Sequence, residues 1–292
     1  MNMVFENADA AWVCYSSYEI RKDDNGLEYV CPAEDVSFKV INPLKDPETL
    51  IIDTLSAARE LSHEEIDKHT VLLNYASKYG LFGFMTALPT TARFSEYEYV
   101  YLPKNEFIKE EVMETEEYLN LFFPFNEPDF IKNHKGVSYS ISGDREQQAL
   151  ALAFSEDIIE KSMVVSRDYC ERADWMVEQF RSFLFIFYTC FLYYEDKDKV
   201  DEDTLTMYQR AMAAFDSNVP TYHIELRNRP TMVWDFHSLS QTIQLMLSFL
   251  LADPDTELRP CKNCHKVYNV RDFDHSFCNL KCKKEYEKNG KK

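Results

Sequence analysis

Two close pairs of cysteines near the C-terminal end constrain this chain more than any other feature. Cys261 and Cys264 are separated by two residues, Cys278 and Cys282 by three, and thirteen residues lie between the pairs. Four thiolates can complete a tetrahedral shell around one metal ion, and a two-residue gap lets a tight turn direct both sulfurs to one point. The spacing therefore predicts a structural site for one Zn²⁺ ion.

The residues around the two pairs predict a small zinc finger. Residues 265–268 have the pattern of a short strand, residues 269–276 form a polar turn, and helix-forming residues follow Cys278. A turn with the first pair, a hairpin, and a helix with the second pair make up a treble-clef finger. The metal then replaces a hydrophobic core, which about 35 residues alone rarely build. His265 and His275 are reserve ligands or plain surface residues.

Length and composition bound the rest of the chain. The 292 residues leave room for one large domain and a small module. We expect an α+β protein: a predominantly α-helical body with a small N-terminal β-hairpin or sheet at 1–257, and the four-cysteine zinc finger at 258–292. A candidate sub-boundary lies near 122–143. Only 6 glycines occur, and no glycine-rich phosphate-binding string is present, which argues against a nucleotide-binding enzyme.

The hydrophobic pattern predicts a protein that does not span a membrane. The first residues show neither a basic region nor a long apolar run, so we expect no signal peptide. The longest apolar stretch, 182–194, has thirteen residues, whereas a membrane span needs ~20. We expect a cytoplasmic protein with reduced thiols. Cys14 and Cys31, which could face each other across the N-terminal hairpin, are then small apolar side chains.

Charge is distributed unevenly along the chain. The net charge is −18, made up of −24 in residues 1–257 and +6 in residues 258–292. A zinc ion bound by four thiolates adds about −2, so the finger stays positive. Nucleic acid would be attracted to the finger and repelled by the acidic body.

Seven basic residues of the finger are candidate phosphate contacts, with Tyr268 or Phe273 stacking on a base. They are Lys262, Lys266, Arg271, Lys281, Lys283, Lys284 and Lys288. The alternative is a solvated face that keeps a small module soluble, or a surface that meets an acidic protein. The sequence leaves these alternatives open.

Two motifs carry a resemblance to known zinc fingers. The strings P-C-x-x-C-x-x-x-Y from Pro260 and F-C-x-x-x-C-K-K-x-Y from Phe277 resemble short treble-clef fingers at the ends of many bacterial proteins. The layout resembles uncharacterised bacterial proteins of a domain-of-unknown-function type. It is also similar to the CGNR zinc-finger family of stress-induced transcriptional regulators, whose naming tetrapeptide is replaced here by C-K-K-E at 282–285. The resemblance implies zinc binding and a role with nucleic acid, and it brings no catalytic residues.

An enzyme would need a different set of residues. Asp235 and His237, with Cys170 or Cys190 as nucleophile, would suit a cysteine hydrolase. No local signature supports this set, and both cysteines fall in predicted buried helices. The sequence therefore names no catalytic residues, and an enzyme with an unrecognised site in the body stays open as a third alternative.

Two functional hypotheses follow. The first is a nucleic-acid-associated regulator whose finger contacts phosphate. The second is a protein-interaction module in which zinc is purely structural and the acidic body binds a partner.

Overall fold

The chain divides into two compact units, each built from segments distant in sequence. The computed structural model describes residues 8–9, 12–85, 98–102, 107–126, 167–213, 220–226, 228–236, 238–270 and 275–289. The first unit comprises Met1–Ala11, Ile41–Tyr75 and Met176–Lys292. The second comprises Trp12–Val40 and Ala76–Trp175.

The described residues form seven α-helices and twelve short strands. The helices are α1 (Pro47–Leu61), α2 (Lys68–Tyr79), α3 (Thr115–Asn120), α4 (Ala173–Asp196), α5 (Glu202–Ala213), α6 (Leu239–Ala252) and α7 (Leu280–Asn289). The strands are β1 (Ala8–Asp9), β2 (Trp12–Tyr15), β3 (Tyr18–Lys22), β4 (Glu28–Pro32), β5 (Phe38–Ile41), β6 (Tyr99–Tyr101), β7 (Val112–Glu114), β8 (Glu171–Arg172), β9 (Thr221–Leu226), β10 (Pro230–Asp235), β11 (Leu258–Pro260) and β12 (Val267–Asn269). The predicted combination of helices with small sheets is confirmed. Among these helices, none combines the length and the apolar content that crossing a bilayer requires.

Amphipathic helices build the core of the first unit. On α6, apolar residues recur at helical spacing and pack toward α1. Ser238 starts that helix, because its side-chain oxygen accepts a hydrogen bond from the Gln241 amide at 3.0 Å. Phe183, Phe187 and Ile243 are fully buried. The apolar faces of α4 and α6 therefore form part of the core of the first unit.

A three-stranded sheet also belongs to the first unit. Its strand order is β1-β10-β9, with β10 parallel to β1 and antiparallel to β9.

The N-terminal hairpin of the second unit follows from its turn residues. The Asp23 carboxylate accepts hydrogen bonds from the amides of Asn25 at 3.0 Å and Leu27 at 2.8 Å, and Gly26 adopts a φ of +82°. An Asn-Gly pair favours such a turn, since glycine enters the left-handed region without a steric penalty. The hairpin joins β3 to β4, and β8 adds to the free side of β4.

A buried carboxylate holds the segment that follows α2. Glu171, on β8, is fully buried. It accepts hydrogen bonds from the amides of Phe82 at 2.8 Å, Gly83 at 2.5 Å and Phe84 at 3.0 Å, and from the Tyr169 hydroxyl at 2.8 Å. The carboxylate thereby satisfies three backbone amides of a segment that belongs to no helix or strand. Burial raises the pKa of the Glu171 carboxyl to about 7 although the donors act in the opposite direction.

A disulfide fastens β8 to its neighbour. Tyr29 lies opposite Arg172 and Val30 opposite Glu171, so the same register places Cys31 opposite Cys170. The two cysteines are disulfide-bonded with a Cα–Cα distance of 4.6 Å, across 139 residues of sequence. The expectation of reduced thiols is therefore wrong for Cys31. Cys14 lies instead beside backbone carbonyls of α2 and is a buried free thiol, as expected.

Reduction of the Cys31–Cys170 bond should destabilise the second unit. A closed loop of this length restricts the unfolded chain, so its loss costs about 2–5 kcal/mol. We expect Cys31→Ala with Cys170→Ala to unfold at lower denaturant concentration than the wild type. The control Cys190→Ala should leave that midpoint nearly unchanged. Equal midpoints for wild type and double variant under non-reducing conditions would contradict the bond.

The stability of the second unit should depend on pH through Glu171. Its folded pKa of about 7 lies above the ordinary value of 4.5, so between these values the folded protein retains a proton that the unfolded chain releases. The free energy of unfolding should then fall as pH rises from about 4.5 to 7 and level off above. Denaturant titrations of wild type and Glu171→Gln should differ in this slope. The exposed control Glu110→Gln should keep the wild-type slope, and a Glu171→Gln protein with the full wild-type slope would refute the assignment.

Candidate metal centre

The first cysteine pair sits in the turn of a β-hairpin. β11 and β12 pair antiparallel, with Pro260 opposite Val267. In the turn, the Cys261 amide donates to the Lys266 carbonyl at 2.9 Å, and the His265 amide donates to the Cys261 carbonyl at 2.8 Å. His265 closes the turn with a φ of +59°. The hairpin thereby fixes the backbone on both sides of Cys261 and Cys264.

The second pair sits at the start of α7. The Asn279 side-chain oxygen accepts a hydrogen bond from the Cys282 amide at 2.9 Å and caps the helix. The Asn279 side-chain amide also donates to the Cys278 sulfur at 3.2 Å. A helix N-terminus favours negative charge, so this position suits thiolates.

The four sulfurs converge as the sequence predicts. All four lie within 4.8 Å of one another. The Cys264 and Cys278 sulfurs are 3.6 Å apart, and those of Cys278 and Cys282 are 3.5 Å apart. Within the described ranges, no other group of histidine, cysteine or acidic side chains converges in this way. The cluster could hold a metal ion.

The cluster is buried on one side and open on the other. Cys261 and Cys282 are buried and pack with Phe277 and the half-buried Tyr268, whereas Cys264 is exposed. Besides these sulfurs, the small core consists of aromatic rings, and the Phe277 ring lies 5.2 Å from that of Tyr286. A segment with so small an apolar core depends on another stabilising interaction.

The electrostatics of the cluster favour a cation. Burial opposes ionisation of Cys261, yet amides of Cys264, Cys278 and Asn263 donate to its sulfur and lower the pKa of this thiol to about 6. Burial raises the pKa of Cys278, and hydrogen bonding with its cysteine neighbours raises it further. Four thiolates this close repel one another unless a positive ion lies between them.

Polar contacts attach the hairpin to helices of the first unit. The Arg259 guanidinium donates to the Glu195 carboxylate at 2.8 Å and lies over the Phe191 ring, both at the end of α4. The Asn269 side-chain amide donates to the Glu48 carboxylate of α1 at 3.2 Å. The cysteine segment is therefore docked on helices and does not hang on a free tether.

The predicted phosphate-contacting residues have mixed environments. Lys262, Lys266, Lys281, Lys284 and Lys288 are exposed. Lys283 is half-buried, and Arg271 lies outside the described residues, as does Phe273.

Acidic groups interrupt this positive surface. The Lys281 ammonium lies 3.9 Å from the Glu285 carboxylate, which also accepts from the Asn263 amide at 3.1 Å.

Neither reserve histidine belongs to the cysteine cluster. His265 is exposed in the hairpin turn. The His275 imidazole lies 3.4 Å from the Glu257 carboxylate.

The hydrolase alternative loses one of its nucleophiles. Cys170 is bonded to Cys31 and precedes β8, so the predicted helix at this position is wrong. Cys190 is half-buried on α4, and burial raises the pKa of its thiol, which disfavours the nucleophilic thiolate. His237 and the Asp235 side chain lie outside the described residues.

Glu171 and the Cys31–Cys170 bond are the features that sequence reasoning missed. Both depend on pairing between β4 and β8. No local spacing in the sequence predicts such a pairing.

Comparison with known proteins identifies no relative. No family model, no curated protein and no solved structure matches the chain. The cysteine cluster is thus the one feature that the structure adds in support of the predicted resemblance.

Loss of the metal should unfold the cysteine segment locally. Chelation, or Cys282→Ser, should leave three or four cysteine side chains around a small core without an ion that joins them, and structural metal ions in such modules supply most of the folding energy. Hydrogen exchange should rise at least about tenfold in residues 258–289 and little in α1.

The matched control is Cys190→Ser, a thiol outside the cluster, which should preserve the exchange rates. Unchanged protection of residues 258–289 after complete metal removal would contradict a structural metal.

Proposed function

We propose that the four cysteines bind one Zn²⁺ ion that serves a structural role. The convergence of the sulfurs within 4.8 Å carries this proposal. Tetrahedral zinc with Zn–S bonds of about 2.3 Å needs sulfurs about 3.8 Å apart, close to the observed 3.5 and 3.6 Å. Thiolate ligands alone also favour zinc over harder cations such as magnesium. Four protein ligands leave no open position for a metal-bound water, so catalysis by the metal is not part of the proposal.

The arrangement of ligands supports a treble-clef finger. One pair comes from the turn between β11 and β12, and the other comes from the capped start of α7. In this arrangement the metal joins a hairpin to a helix that share few apolar contacts. Residues 258–292 then form a module whose helix direction depends on the metal.

We infer that α7 presents this module to nucleic-acid phosphate. Lys281, Lys284 and Lys288 follow one another at spacings of three and four residues, so they share one helical face. All three are exposed. The exposed Lys262 and Lys266 come from the neighbouring hairpin turn, which the metal holds next to the helix. Metal binding would thus organise cations from two elements into one surface for a polyanion.

A second candidate is an interaction of the acidic body with a basic protein. A cleft of about 790 Å³ in the second unit supports it, with Asp23, Asp24, Glu116 and Glu117 among its lining residues and Lys22 as the single basic one. A ligand of this acidic cleft would be positively charged, whereas nucleic acid is negatively charged. Titration with a polyanion therefore distinguishes the two candidate functions.

Charge reversal on α7 should abolish binding of nucleic acid. We expect the zinc-loaded full chain to bind a labelled duplex of about 20 base pairs at about 50 mM salt, measured by fluorescence anisotropy. Three phosphate contacts imply a loss of about 40-fold in affinity between 50 and 200 mM salt. Lys284→Glu with Lys288→Glu should remove most of this binding.

A control variant carries the same change of charge elsewhere. Lys45→Glu with Lys197→Glu alters two exposed lysines of the first unit outside the module, and it should bind nearly as the wild type does. Equal losses in both variants would show a general charge effect. No binding by the wild type at about 50 mM salt would rule out the nucleic-acid role and favour the acidic body as the binding surface.

A further inference from the structure

The hairpin of β9 and β10 carries an apolar face that points to solvent. The register places Tyr222 opposite Trp234, Ile224 opposite Met232 and Leu226 opposite Pro230. Residues directly opposite one another in an antiparallel pair lie on the same face of the sheet. One face of the hairpin therefore consists of six apolar side chains.

The exposed fractions of these side chains show that the apolar face points to solvent. Tyr222, Ile224, Leu226 and Met232 are 62%, 65%, 86% and 48% exposed. Val233, which points the other way, is 2% exposed. An antiparallel sheet with one solvated side usually places polar residues outward, whereas here the outward positions of β9 are all apolar.

Among the described strands, β9 lies at the edge of its sheet. In the part of the chain that the structure describes, the strand order β1-β10-β9 leaves one side of β9 without a neighbouring strand. A flat apolar edge of this kind invites association unless it is covered.

We propose that this face is the contact between two copies of the chain. An aromatic side chain has roughly 150–250 Å² of surface; with a value near the lower end of that range for the three aliphatic side chains, the four exposed fractions amount to on the order of 500 Å² per copy. Two copies would bury about 1,000 Å², the lower limit of a specific interface. The area therefore suffices for a reversible dimer.

The shape and charge of the face fit a second copy better than an unlike partner. A two-fold axis at the Ile224–Met232 pair places the aromatic end of one hairpin, where the Tyr222 and Trp234 rings lie 5.8 Å apart, on the aliphatic end of the other. The six side chains carry no formal charge, so a basic partner gains nothing here. Two copies with a net charge of −18 each can approach most closely where charge is absent.

Sedimentation and light scattering test the proposal. At about 10–100 µM the full chain should show twice its mass of 34.4 kDa. Ile224→Lys with Leu226→Lys should restore the single mass by weakening association at least about 100-fold. Both positions are exposed, so circular dichroism and the thermal midpoint should show a folded protein.

Matched variants complete the experiment. Val40→Lys with Val112→Lys changes two exposed valines on other strands and should leave the dimer intact. Added salt should strengthen the dimer by screening repulsion, the opposite of its effect on nucleic-acid binding. The proposal is independent of the zinc-finger function. A wild type that stays at 34.4 kDa throughout, or a dimer that survives Ile224→Lys with Leu226→Lys, would overturn it.

Discussion

Convergence of four cysteine sulfurs on one point is the constraint on which the C-terminal part of this structure depends. The backbone brings the four sulfurs within 4.8 Å, a distance at which negative charges repel strongly in a partly buried site. A divalent cation converts that repulsion into bonds. The hairpin and α7 share few apolar side chains, so with the proposed metal bound the direction of the helix would follow from the metal and only secondarily from packing.

The contacts of the hairpin with α1 and α4 extend this dependence on the metal to the neighbouring helices. Arg259 lies close to the first ligand in sequence and reaches Glu195, and Asn269 ends the hairpin and reaches Glu48. A metal that fixes the hairpin therefore also fixes its contacts with α1 and α4. One partly exposed ion pair and one side-chain hydrogen bond contribute little individually, so they orient the module more than they stabilise it.

Local patterns in the sequence were sufficient where neighbouring residues decide the structure. The cysteine spacing predicted the cluster, and the residues around it predicted a short strand before the polar turn and a helix after Cys278. These elements depend on contacts within about 25 residues, or on side chains with one dominant chemistry.

Long-range pairing explains what the sequence could not predict. Glu171 directly follows Cys170 in a stretch that the sequence pattern predicted as helix, and its role appears only once Phe82–Phe84 lie beside β8. Cys31 and Cys170 become partners through strand register across 139 residues. The exposure of the apolar face of β9 depends on which side of the sheet meets the core, which no local pattern decides.

X-ray absorption at the zinc edge of the purified full chain tests the four-cysteine site most directly. The account predicts one zinc ion per chain with four sulfur neighbours at about 2.3 Å. Loss of one sulfur neighbour in Cys264→Ser would confirm that the exposed cysteine is a ligand. A chain without bound metal, or zinc with nitrogen or oxygen neighbours in place of sulfur in the wild type, would contradict it.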